Sequence, residues 1–188
     1  SSAYDIPTSR EKPDDPISGS GERHPATSAF GFVRPLRDRN DRLMQDILER
    51  AKQIRLVIFD VDGVLTDGSL YLGDDGQEYK AFHSRDGHGM KMLQQTGVTV
   101  AIITGRSSEV VRMRMDSLGV EHVYQGRREK LPAYEEIKEA LGLQDGQIAY
   151  VGDDVVDLPI LRRVGLSIAV ADAHALVQRH AHWRTQSP

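Results

Sequence analysis

The feature that most constrains this chain is a series of short, unbroken apolar runs, each stopping at a polar residue. Residues 55–60 read Arg-Leu-Val-Ile-Phe-Asp, residues 98–103 end in Ala-Ile-Ile before Thr104, and residues 147–151 lead into Gly152-Asp153-Asp154. Runs this short and apolar suit strands buried on both faces of a parallel sheet. Further strands are expected over 121–124 and 166–170, with helical spacing over 87–96, 107–118, 129–141, 155–163 and 173–180. Gly142 is placed to stop the third of these helices. Alternating strands and helices with short connections predict an α/β fold built on a doubly wound parallel sheet. Ligands of such sheets sit outside the carboxyl ends of the strands. The polar residues that end the runs are therefore where chemistry is expected.

Two segments depart from this alternation. Residues 69–83 hold two β-prone stretches around Asp75-Gly76, a strong turn signal, and predict a β-hairpin flap. Residues 1–40 carry Pro7, Pro13, Pro16, Pro25 and Pro35 among serine, glycine and charge. Such a stretch buries too little apolar surface to offset its ordering entropy, so it reads as a mobile or extension arm before a domain over 41–188. Asp41 is a fair N-cap for a helix carrying Leu43, Ile47, Leu48 and Ala51 at helical spacing.

Composition narrows the function classes. A net charge of -4 gives no electrostatic reason to expect nucleic acid or an anionic membrane as partner. The absence of cysteine excludes disulfides, thiolate catalysis and Cys-based zinc sites, and fits a cytoplasmic setting. No run approaches the roughly 20 apolar residues that span a bilayer, and Ser1–Asp5 shows no signal-peptide pattern.

The run ends carry a consistent chemistry. Asp60 and Asp62 follow the first strand in Asp60-Val-Asp-Gly-Val-Leu-Thr66. Two carboxylates two residues apart would repel at close range unless a hard cation screens them, and magnesium suits such oxygen ligands. Asp60 can then attack phosphorus, while Asp62 protonates the leaving oxygen and later activates water. Gly63 permits the tight turn that wraps a phosphate. Thr104 ends the next strand; its hydroxyl suits phosphate oxygens, although threonine is also an ordinary N-cap. Lys130 opens a helix against the helix dipole, which fits either an anion partner or a solvated lysine. Asp153, Asp154 and Asp157 cluster at the end of a later strand as a second half of a magnesium site.

This ordered set resembles the haloacid dehalogenase superfamily of phosphotransferases across residues 53–183. The resemblance implies a Rossmann-like fold with Asp60 as nucleophile and Asp62 as acid/base. It implies that Thr104 and Lys130 stabilise phosphate and charge. Magnesium would be held by Asp60, the Asp62 carbonyl and Asp153, with Asp154 and Asp157 in support. Most members carry a cap domain, but only the hairpin and one helix separate Asp62 from Thr104, and one helix separates Lys130 from Asp153. A capless site is open to water, so the hairpin of a neighbouring subunit is expected to close it in a ring-like oligomer.

Finer wording is similar to one subgroup, the family of 3-deoxy-D-manno-octulosonate 8-phosphate (Kdo 8-phosphate) phosphatases. The similarity lies in Phe59–Gly68, Lys80–Gly89, Ala101–Arg106, Tyr124–Gly126, Ala149–Asp154 and Val164–His174. It implies a homotetramer that makes the Kdo sugar of bacterial lipopolysaccharide. It also implies substrate contacts from Asp62, His83, Ser84, Arg85, Asp86, Gly87, Lys91, Arg106, Arg114 and Lys130, some across subunits. Arginine forks suit a substrate bearing phosphate and carboxylate, although Arg112 and Arg114 also fit a solvated face. The related phosphatase of a nine-carbon keto sugar acid phosphate tends to have Glu after Thr-Gly, so Arg106 favours the eight-carbon substrate. His83, Ser84 and Lys91 stand where the family often has Asn, Val and Arg. The family usually runs on into a Gly- and Arg-rich tail past the Trp183 region, whereas the sequence here stops at Pro188, the tail being either removed or absent; where it is absent, turnover and product release are expected to differ. A different class of reading is a non-catalytic tetramerisation module, which would be expected to lose some of the acidic, Thr and Lys positions that this chain keeps.

Overall fold

The computed structural model describes residues 37–188, with side chains from Asn40 onward. The chain separates into two units, Ser1–Arg34 and Pro35–Pro188. The arm expected over residues 1–40 lies outside the described residues except for 37–40, which belong to the first helix.

Helix α1 spans Arg37–Gln53 and starts a turn before Asp41, which is therefore not its N-cap; no glycine or proline interrupts Arg37–Asn40. Of its apolar stripe only Ile47 is buried, while Leu43 and Leu48 are exposed. Six parallel strands follow: β1 (Leu56–Phe59), β4 (Thr99–Ile103), β5 (His122–Tyr124), β6 (Ile148–Gly152), β7 (Leu166–Ala169) and β8 (Trp183–Arg184). The hairpin strands β2 (Tyr71–Leu72) and β3 (Glu78–Tyr79) pair antiparallel apart from that sheet. Gly76 turns the hairpin at φ 81°, and its N–H donates to the Gly73 carbonyl at 2.9 Å.

The sheet order is β5-β4-β1-β6-β7-β8. The chain winds outward from β1 through β4 to β5, then returns to the other side of β1 with β6. That reversal makes the carboxyl ends of β1, β4 and β6 the topological switch point. Register brings those ends level, since Phe59 sits opposite both Ile102 and Val151.

Alternation along β4 sends Val100 and Ile102 to one face and Ala101 and Ile103 to the other. On the first face, helix α2 (Ser84–Gln95) buries Met90 and helix α3 (Glu109–Leu118) buries Val111 and Met115. The second core gathers Ala133, Tyr134 and Ile137 of helix α4 (Lys130–Ala140) and Ile160 and Leu161 of helix α5 (Leu158–Leu161). Val177 of helix α6 (Ala175–His180) joins them, against Leu56, Ile58, Ile148 and Tyr150.

Three expected boundaries move for identifiable reasons. Helix α2 begins at Ser84 rather than 87, because the His83 imidazole accepts the Arg85 N–H at 3.1 Å and caps it. The helix expected over 155–163 breaks into a 3₁₀ turn, Val155–Asp157, and the short α5. Pro159 has no N–H to offer the Val155 carbonyl, so a continuous α-helix loses a rung there. Helix α3 begins at Glu109 rather than 107, after an extended Ser108 whose N–H donates to the Gln125 side chain at 2.7 Å.

Candidate active site

Asp60 leaves β1 while its N–H still continues the ladder to Val151, at 3.1 Å. Thr104 leaves β4 in the same way, donating its N–H to the Tyr124 carbonyl at 2.9 Å. Lys130 opens α4, and Asp153 follows β6. These four residues, with Asp62, Gly105, Arg106, Arg128, Asp154 and Val156, line one open cleft of about 430 Å³. Thr104 does not abut the N-terminus of α3, because residues 104–108 form a loop before that helix. Any phosphate contact it makes therefore rests on its own hydroxyl and loop backbone.

Lys130 is not the solvated lysine its helix-start position also allowed; its side chain is only 2% exposed. Its Nζ lies 2.6 Å from Asp60 Oδ2 and 2.7 Å from Asp157 Oδ1. Burial lowers the Lys130 ammonium, but the two carboxylates outweigh burial and hold it above its ordinary value. The same carboxylates offset the unfavourable helix dipole. Asp60 is raised by burial above all, an effect Lys130 only partly cancels.

The acidic side of the cleft is short of positive charge. One carboxylate oxygen from each of Asp60, Asp153 and Asp157 lies within 4.8 Å of the others. Asp153 is pushed up to about 7 by burial first, then by the charges of Asp60 and Asp157. Its Oδ1 is buried without a hydrogen-bond partner among the described residues, and such a group is costly unless an ion or water satisfies it. Hard oxygen donors, crowded negative charge and an orphaned buried oxygen fit a divalent cation. Gly63 makes room for this arrangement. Its φ is 87°, and a Cβ there would meet Asp153 Oδ2 at 2.3 Å.

Asp62 faces a different environment. It pairs closely with Lys80, whose side chain is 1% exposed, and lies 3.8 Å from Arg106 Nε. Lys80 also sits 3.5 Å from Glu78, and Arg106 Nη2 bonds Glu78 at 2.8 Å. Glu78 of flap strand β3 and Lys80 just beyond it thus form a charged strap that ties Asp62 and Arg106 together. Glu78 did not stand out in the sequence, and Lys80 entered only as the first residue of a stretch of family similarity, with no role of its own; the signal was a pair of charges two residues apart, leaving a hairpin.

The remaining expected substrate contacts do not reach this cleft within one chain. His83 caps α2, Ser84 begins it, and Arg85 and Asp86 line a separate apolar groove with Phe59, Met90 and Val170. Gly87 and Arg114 border a small cavity beside Phe82, with the Arg114 guanidinium 6.0 Å from the Phe82 ring. Lys91 lies beside Gly119, at the far end of α3.

Comparison with known proteins agrees with the fold. Residues 122–188 match the family described as haloacid dehalogenase-like hydrolase. A 3-deoxy-D-manno-octulosonate 8-phosphate phosphatase of Yersinia pestis is 49% identical over 141 residues, 75% of each chain. The crystal structure of that enzyme from Yersinia pestis superposes with a TM-score of 0.75 at 48% identity, covering 76% of this chain and 77% of the other. The Moraxella catarrhalis enzyme, solved with a magnesium ion, a phosphate ion and Kdo, gives a TM-score of 0.75 at 39% identity, covering 76% and 82%. With such identity over three quarters of both chains, this chain belongs to the family of 3-deoxy-D-manno-octulosonate 8-phosphate phosphatases, within the haloacid dehalogenase-like hydrolases.

Proposed function

We propose that this chain hydrolyses Kdo 8-phosphate to Kdo and inorganic phosphate, through an aspartyl-phosphate on Asp60. The observation that carries the reading is the buried Asp60–Lys130 pair beside half-buried Asp153 at the switch point, all three lining one open cleft, with Asp153 Oδ1 left without a hydrogen-bond partner among the described residues. Asp60 Oδ2 is held by Lys130 and Oδ1 accepts the Val61 N–H at 2.7 Å, so the nucleophile has one fixed orientation. Lys130 supplies positive charge where the phosphoryl oxygens gather negative charge, and Thr104 offers a hydroxyl to the same oxygens. Asp62 carries the proton to the leaving C8 oxygen, then takes one from the water that attacks the aspartyl-phosphate. Lys80 keeps that carboxylate facing the cleft. Asp60, the Asp62 carbonyl and Asp153 would hold Mg2+, which supplies charge neutralisation between nucleophile and phosphate.

The test is phosphate release from Kdo 8-phosphate with and without Mg2+. Activity should require the cation, and Asp60→Asn should lower kcat by about a thousandfold or more. Full activity in that variant would refute the nucleophile. Faster turnover of a nine-carbon keto sugar acid 9-phosphate than of Kdo 8-phosphate would move the substrate to that acid.

The finished site is read as one shared within a homotetramer in the cytoplasm, where the phosphorylated sugar acid is held by its charge. Two observations support sharing. Among the described residues the cleft has no cap, and the hairpin region exposes Leu70, Tyr71, Leu72 and Tyr79. His83, Ser84, Arg85, Asp86, Gly87, Lys91 and Arg114 would then serve a neighbouring cleft, since they do not line their own. Sedimentation of a fully active monomer would end this part of the reading.

A further inference from the structure

Tyr150 is a buried tyrosine in an otherwise apolar strand, directly behind the proposed catalytic lysine. Its side chain has no exposed surface, and its hydroxyl donates to Asp157 Oδ1 at 2.6 Å. Lys130 Nζ donates to the same oxygen at 2.7 Å and stands 3.4 Å from the Tyr150 hydroxyl. The other oxygen, Asp157 Oδ2, accepts the backbone N–H groups of Asp153 at 3.1 Å and Asp154 at 3.2 Å. An ionised carboxylate has about four lone-pair positions. All four on Asp157 are taken, whereas Asp153 Oδ1 has none of its own filled. The two aspartates approach the same cation site, yet only one has an oxygen to give.

We propose that Tyr150 is a positioning residue of the phosphoryl-transfer site: its hydroxyl fills the last acceptor position of Asp157, which keeps that carboxylate on Lys130 and out of the cation's coordination shell. The inference rests on the functional reading above. Without the hydroxyl, Asp157 Oδ1 regains a free lone pair beside the cation site. It can then turn toward the cation and draw Lys130 off Asp60.

A second tyrosine supplies the control. Tyr134 is also fully buried, and its hydroxyl donates to Asp145 Oδ1 at 2.7 Å, away from the cleft. Tyr150→Phe and Tyr134→Phe each delete one O–H bond to a carboxylate. The experiment titrates Mg2+ into the full chain by calorimetry without substrate, and measures kinetics on Kdo 8-phosphate. For Tyr150→Phe the expected result is Mg2+ binding at least about threefold tighter, and kcat lower by about tenfold or more with KM within about twofold. Tyr134→Phe should keep the unmodified values for all three.

A Tyr150→Phe protein whose Mg2+ Kd equals that of Tyr134→Phe overturns the proposal, whatever its kcat. Should Tyr150→Phe fail to fold, the unmodified chain still decides the matter. The buried Tyr150 hydroxyl proton should persist in the proton NMR spectrum when Mg2+ is added. Its loss on metal addition would mean that Asp157 has turned to the cation. A chain that releases no phosphate from Kdo 8-phosphate sinks the functional reading and leaves the calorimetry to judge Tyr150 alone.

Discussion

The two ends of strand β6 carry nearly the same three residues and do opposite things with them. Beyond its carboxyl end, Tyr150 and Lys130 converge on Asp157; before its amino end, Tyr134 and Lys138 converge on Asp145, with Lys138 Nζ 2.9 Å from the carboxylate. The difference lies in what surrounds each triplet. Asp145 has Arg163 Nε at 3.7 Å as further positive charge, and its carboxyl is held below the ordinary range by the Lys138 and Tyr134 hydrogen bonds. Around Asp157 the surplus is negative, because Asp60 and Asp153 crowd the same lysine, and Asp153 rises to about 7. A Tyr-Asp-Lys triplet is therefore not a catalytic signature. Charge imbalance held away from water is what separates the two sites.

The largest break in this comparison should come from the lysines. Lys130→Met leaves the buried Asp60 and Asp157 without their cation, at a cost of about 3–5 kcal/mol, and should lower kcat by about a hundredfold or more. Lys138→Met, whose lysine bridges half-exposed Glu135 and Asp145, should leave kcat within about twofold. Thermal melts and phosphate-release assays on both variants check the pair; equal losses of kcat would erase the distinction.

Asp153→Asn sharpens it through pH. The folded chain holds the Asp153 proton up to about 7, whereas the unfolded chain releases it near 3.8. Between those values the folded state binds more protons, so this group makes metal-free stability fall as pH rises through the window. Asp153→Asn should therefore raise the metal-free Tm at pH 8 by about 5 °C, and by less at pH 5. The same variant should lose its Mg2+ response. A melt shift that grows toward low pH would contradict the assignment.

The smallest effect belongs to Asp145→Asn. It weakens charge-assisted bonds near the surface and should cost about 1–2 kcal/mol of stability with unchanged kcat. Denaturant unfolding together with a kinetic assay measures both.

Much of this was legible in the amino-acid order. The apolar runs of β1, β4 and β6 end at Asp60, Thr104 and Asp153, and register makes those ends neighbours in space. The hairpin was written in Asp75-Gly76. Features that depend on three-dimensional accounting were not legible. Nothing local distinguishes Tyr150 from an ordinary core tyrosine, because its partners lie 7 and 20 residues away. Lys80 follows a turn like any solvated lysine until the flap folds it against Asp62. Pro159 divided an expected helix, and His83 capped another in place of the usual short polar residues. Strand β8 is two residues long, too short for any periodicity to register.

That short strand has a consequence for how copies of the molecule avoid one another. The sheet's two outermost strands, β5 with three residues and β8 with two, are shorter than the four- and five-residue strands between them. A long, flat outer strand is a template for uncontrolled sheet-to-sheet growth. Here Trp183 and Arg184 cover Ile168 and Ala169, anchored on either side by the His182 N–H to the Ser167 carbonyl and the Thr185 N–H to the Ala169 carbonyl, each at 3.0 Å. Cutting the chain before His182 would uncover β7, whose interior residues are fully apolar or buried, and would turn a protected margin into an adhesive one.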